Sequence, residues 1–98
     1  MMQRIFTVLD RFDIPGKGLA LTGVTEDDSL VIENGSTVII KRADLPDIET
    51  RSLGFELMRN DWSPHKPKNM ALLLPDNLKK EDVPEKSEVW SAARRKKF

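Results

Sequence analysis

The stretch IPGKGLALTG, residues 14–23, sets Gly16-Lys17-Gly18 directly before an apolar run. A phosphate-gripping loop and the bend of a β-hairpin can both begin this way, and they lead to different proteins. The phosphate loop needs two glycines separated by four residues, then Lys and Ser or Thr, opening a helix whose amides face the anion. Here Lys17 lies between the glycines, no Ser or Thr follows it, and the next segment reads as a strand. The hairpin is the reading that fits. Pro15-Gly16 and Gly18 punctuate the chain, and two strands joined by a few residues containing Gly pair with each other.

Working outward, RIFTVLDRF, residues 4–12, is rich in β-branched and aromatic types. Phe6, Val8 and Phe12 share one parity while Ile5 and Leu9 share the other, which predicts a strand with apolar groups on both faces. LALTG is the return strand, and TEDDS, residues 25–29, a polar turn. LVI at 30–32 and STVIIKR at 36–42 flank the tight-turn pair Asn34-Gly35. IETRSLGFELM, residues 48–58, is a longer extended segment in which Gly54 marks a bulge or a barrel corner.

NDWSPHKPK, residues 60–68, is a loop, and NMALLL at 69–74 is too short between Pro67 and Pro75 for a helix, so it reads as a buried strand. NLKKEDV supplies a single helical turn, and SEVWS, residues 87–91, the last strand, with Trp90 in the core. Six or seven short strands with regular turns predict an all-β domain, a small closed β-barrel over residues 1–91. AARRKKF, residues 92–98, follows as a basic C-terminal tail.

A chain of 98 residues makes one domain, and 39% apolar with 33% charged residues suits a modest single core. Sixteen Lys and Arg balance sixteen Asp and Glu, so attraction to nucleic acid must be local. Without cysteine there is neither disulfide nor thiolate chemistry. Charges at Arg4, Asp10, Arg11 and Asp13 interrupt the N-terminus, and no window is apolar enough to span a bilayer. A cytoplasmic protein with no membrane partner is the expectation.

Catalytic and metal sites find no support. His65 is the sole histidine, in a Pro- and Lys-rich loop, and no spaced ligand set or nucleophile–base pair surrounds it. Glu26, Asp27, Asp28 and Glu33 lack the alternation of a calcium loop and read as a solvated turn. The expectation is therefore no catalytic residue, no metal and no cofactor. Two features point to binding. Arg94, Arg95, Lys96 and Lys97 form the densest charge cluster, where each phosphate neutralised adds about 0.9 to the salt-dependence slope on duplex. Trp62, in a polar loop, is a possible anchor for a partner.

With the strands placed, FTVLDRFDIPGKGLALTG resembles the opening of domain 2 of the elongation factor Tu family of translational GTPases. The pattern is an apolar strand, Asp-x-Phe-x-Ile, a Gly-basic-Gly turn and an apolar strand ending in Thr-Gly, carried by Asp10, Phe12, Ile14, Gly16, Lys17, Gly18, Thr22 and Gly23. LGFELMRND is similar to a later segment through Gly54, Glu56 and Arg59. NMALLLPDNLKKEDVPEKSEVW is similar to the closing strands through Asn69, Leu73, Leu74, Lys79, Lys80, Glu81, Asp82 and Val83. Together these stretches span about residues 5–91.

The resemblance implies a six-stranded Greek-key β-barrel. In the elongation factors one face of this domain receives the aminoacylated 3′ end of tRNA, and in related factors it touches ribosomal RNA. The positions matching that pocket are Asp10, Phe12 and Asn69, and Leu9 stands where the family commonly has Glu. No GTPase domain accompanies the barrel in this chain, so the implied role is a freestanding, non-catalytic binding module. Its expected partner is tRNA, rRNA or a translation-related protein. The alternative is a small immunity or antitoxin-type protein that neutralises a partner acting on translation.

Overall fold

The computed structural model describes residues 2–25, 29–58 and 68–95. Its strands are β1 (Gln3–Ile14), β2 (Gly18–Thr25), β3 (Leu30–Val31), β4 (Thr37–Lys41), β5 (Ile48–Arg51), β6 (Gly54–Met58), β7 (Lys68–Leu74), β8 (Glu88–Ser91) and β9 (Arg94–Arg95). A single 3-10 turn, Lys80–Asp82, is the helical element among the described residues. The large sheet is antiparallel in the order β5-β4-β8-β1-β2-β7-β6 and curls into a half-barrel; β3 and β9 form a separate pair.

The GKG bend behaves as its composition demands. The Lys17 N–H donates to the Ile14 carbonyl at 3.0 Å, closing a turn from which Lys17 projects exposed. Gly16 and Gly18 hold φ of +77° and +138°, conformations that side chains with a Cβ resist. At Gly18 a Cβ would also run into the Leu74 carbonyl oxygen, so this glycine lets β2 lie close against the end of β7.

β2 and β7 alternate cleanly. Leu19, Leu21, Met70, Leu72 and Leu74 are fully buried, while Ala20, Thr22, Ala71 and Leu73 face outward between them. β1 breaks this rule twice. Its pairing with β8 slips between Arg4 and Phe6, and its pairing with β2 slips between Val8 and Asp10. The first bulge turns two consecutive residues, Ile5 and Phe6, into the core; the second leaves Leu9 and Asp10 both exposed. Beyond it the even positions change sides. Phe12, which shares sequence parity with Phe6 and Val8, is 49% exposed on the outer face.

The sequence reading takes 48–58 as one extended segment. The chain there is divided at Ser52 and Leu53, just before the expected corner at Gly54. Ser52 exchanges backbone hydrogen bonds with the β4 side, accepting from Gly35 and donating to Ser36, whereas Leu53 donates to Leu73 of β7. The two edges of the large sheet are thus successive parts of one segment. The Ser52 side chain is fully buried and its Oγ has no hydrogen-bond partner among the described residues.

Two other expectations shift. Trp90 is half-buried on the outside of β8 rather than in the core, because Val89 and Ser91 take the inward positions of that strand. The tail begins as structure: Arg94 and Arg95 pair with Val31 and Leu30. At one end of the sheet the 3-10 turn is tied down by the Lys80 N–H donating to Asp13 Oδ1 at 3.0 Å, and Arg11 forms an ion pair at 3.3 Å with Glu85 in the segment that follows it.

Candidate binding site

Asp10 and Phe12 follow the second β1 bulge, and Asn69 is exposed near the start of β7. The three are remote in sequence, but β2 lies between their strands. Asp10 is opposite Thr22, and Asn69 is opposite Val24. The result is an open depression of about 320 Å³ lined by Leu9, Asp10, Phe12, Thr22, Gly23 and Asn69.

Its chemistry is mixed. Leu9 and Phe12, 58% and 49% exposed, form an apolar wall. The Asp10 carboxylate accepts the Arg11 N–H at 2.8 Å through Oδ1, which holds the side chain beside its own strand. The Thr22 hydroxyl donates to the Asp10 carbonyl at 3.4 Å. The Asn69 carboxamide has no hydrogen-bond partner among the described residues and can offer both a donor and an acceptor. A ligand with a flat apolar portion and one or two polar groups matches this lining. Nothing in it resembles a nucleophile held by a base.

Of the basic run, Arg94 is not among the residues that line this depression. Arg94 forms an ion pair with Glu33, and β9 pairs with β3 in a separate two-stranded sheet. Lys96 and Lys97 lie outside the described residues, as do Trp62, His65 and the acidic residues Glu26, Asp27 and Asp28. Among the described residues no group of three or more His, Cys, Asp or Glu is placed to hold a metal ion, and no helix is long and apolar enough to cross a membrane.

A second depression, about 460 Å³, adjoins the first across the outer face of β2 and β7. Ile14, Lys17, Ala20, Glu56 and Leu73 are among its lining residues. Sequence reading gave no reason to group these residues. The available signal is the run of small or modest residues at the outward positions of two neighbouring strands, Ala20 and Thr22 beside Ala71. No protein-family model, curated protein or solved structure matches this chain.

Proposed function

We propose that this chain is a non-catalytic binding module of the translation-factor domain 2 type, in which the Asp10–Phe12–Asn69 depression receives the 3′ end of a tRNA or a comparable element of ribosomal RNA. The observation that carries the reading is the meeting of those three residues, singled out by resemblance, in one open depression. The closed six-stranded Greek-key barrel of that domain belongs to the same proposal. It is supported by the passage of Ser52-Leu53 from one sheet edge to the other. Phe12 offers a ring for stacking, and Asn69 the hydrogen bonds that orient a ligand. Arg94–Lys97 supply phosphate contacts, with Arg94 drawing on a charge that Glu33 already engages. A cytoplasmic location accompanies this role.

The experiment is a titration with charged tRNA, uncharged tRNA and a ribosomal RNA fragment at about 50 mM salt, where electrostatic binding is strong. Binding that falls with Phe12→Ala and Asn69→Ala supports the proposal. Absence of binding to all three RNAs, or binding indifferent to both substitutions, ends it.

A protein-binding role, of the immunity or antitoxin kind, is the second reading. It is favoured by the uncovered apolar side chains of Leu9, Phe12 and Ile14 on one face, which suit a protein surface better than a phosphate backbone.

A further inference from the structure

The strand registers turn the outer face into rows. Phe12 lies opposite Ala20, Ala20 opposite Leu73, and Leu73 opposite Gly54. In the next row Asp10 lies opposite Thr22, Thr22 opposite Ala71, and Ala71 opposite Glu56. All these positions alternate with the buried leucines of β2 and β7 and therefore share the exterior side. The first row is apolar with a gap at Ala20 between two large groups. The second has small residues in the middle and a carboxylate at each margin.

At the hairpin end of the same face, Lys17 and Ile14 close the larger depression. Neither Lys17 nor Glu56 has a side-chain partner among the described residues. Along the strands the face thus reads negative, apolar, positive. Strands lie about 4.8 Å apart, so three steps set the Asp10 and Glu56 backbones about 14 Å from each other. That leaves room for one cationic side chain over Thr22 and Ala71, attracted from both sides. Successive rows are two residues apart along a strand, which is about 6.7 Å, and an extended peptide repeats its side chains on one side at the same interval.

We propose that this trough is a docking site for an extended protein segment that presents a basic, an apolar and an acidic side chain at alternate positions. The basic group sits between Asp10 and Glu56, the apolar one over Ala20 beside Phe12 and Leu73, and the acidic one toward Lys17. A phosphate midway along this row would meet a carboxylate at each margin and no cation among the described residues, so the middle of the row suits a cationic side chain better than a phosphate. The inference shares Asp10 and Phe12 with the RNA reading and gives the protein-binding reading a recognition pattern. Glu56 and Lys17 belong to the trough alone, so the two readings fail separately.

The test is selection of random linear peptides displayed on phage against the full chain, followed by fluorescence polarisation with the selected sequence as a synthetic probe. The expected consensus is basic-x-apolar-x-acidic. Glu56→Lys weakens the probe about tenfold, as loss of a flanking charge with introduction of repulsion should, and reversing the probe's basic residue to Glu recovers the loss. Glu56 is exposed, so unchanged thermal unfolding of that variant is expected. Ala20→Arg, which fills the gap, abolishes peptide binding, while Asn69→Ala, which lies in the smaller depression, leaves peptide binding unchanged. Failure to enrich any consensus, a consensus without the basic residue, or a probe indifferent to Glu56→Lys overturns the proposal. So does a CCA-ended RNA whose own binding drops with Glu56→Lys, an outcome that assigns the trough to RNA.

Discussion

On the outside of β8, Trp90 lies half-buried with the Lys41 ammonium 4.2 Å from its ring centroid, and its Nε1–H donates to Glu88 Oε1 at 3.0 Å. Glu88 also meets Arg4 at 3.5 Å. On the outside of β1, Phe12 and Leu9 are about half exposed with no charged group laid over them among the described residues. Both faces belong to one sheet, and both display an aromatic residue. One face finishes its aromatic with groups from its own chain; the other leaves it bare. A long cation lying over a ring shields apolar area at little cost, so the first arrangement serves stability and solubility. The second retains surface that a partner can still bury.

The sharpest break in this contrast comes at Gly18, where the bare face is anchored. Gly18→Ala puts a Cβ against the Leu74 carbonyl at a positive φ, and we expect a loss of about 3 kcal/mol or more in urea unfolding. Trp90→Ala follows: losing a half-buried ring and its cation contact costs about 2 kcal/mol, with RNA and peptide binding unchanged. Ser52→Ala, on the segment that passes from one edge of the sheet to the other, removes a buried hydroxyl without a partner among the described residues. It should raise stability by about 1 kcal/mol in the same assay. Phe12→Ala sharpens the comparison from the other side, moving stability by no more than about 0.5 kcal/mol while weakening the bound RNA. If Phe12→Ala destabilised as much as Trp90→Ala, both rings would be structural and the contrast would collapse.

Much of the strand order was legible because Gly, Pro and Asn-Gly pairs cut the chain at nearly every turn that forms. The GKG reading needed only φ preferences and spacing. The depression was half legible: Asp10, Phe12 and Asn69, with Leu9 beside them, came from resemblance, whereas Thr22 and Gly23 became its lining through pairing. The trough was not legible, because its rows exist only once four strands are in register. Parity misplaced Phe12 for a physical reason. A bulge adds one residue to one strand without changing its composition, so nothing local to RIFTVLDRF announces that its sides exchange after Val8. Trp90 was misassigned because apolar neighbours along a strand say nothing about which of its two faces is covered.

The bulge at Leu9 also separates two kinds of change. Residues in the ladder of β1 and β2 are held opposite partners, and replacing those whose side chains are buried, such as Val8, Leu19 or Leu21, tests the fold. Leu9 falls outside that register, since the pairing steps from Val8 opposite Gly23 to Asp10 opposite Thr22. Its side chain can therefore be exchanged, or even removed, while Asp10 and Phe12 keep their places across from Thr22 and Ala20. Ligand preference at the depression can drift through this one position without drawing on the stability of the sheet, which makes residue 9 the natural place for selection, in nature or in the laboratory, to retune what the module holds.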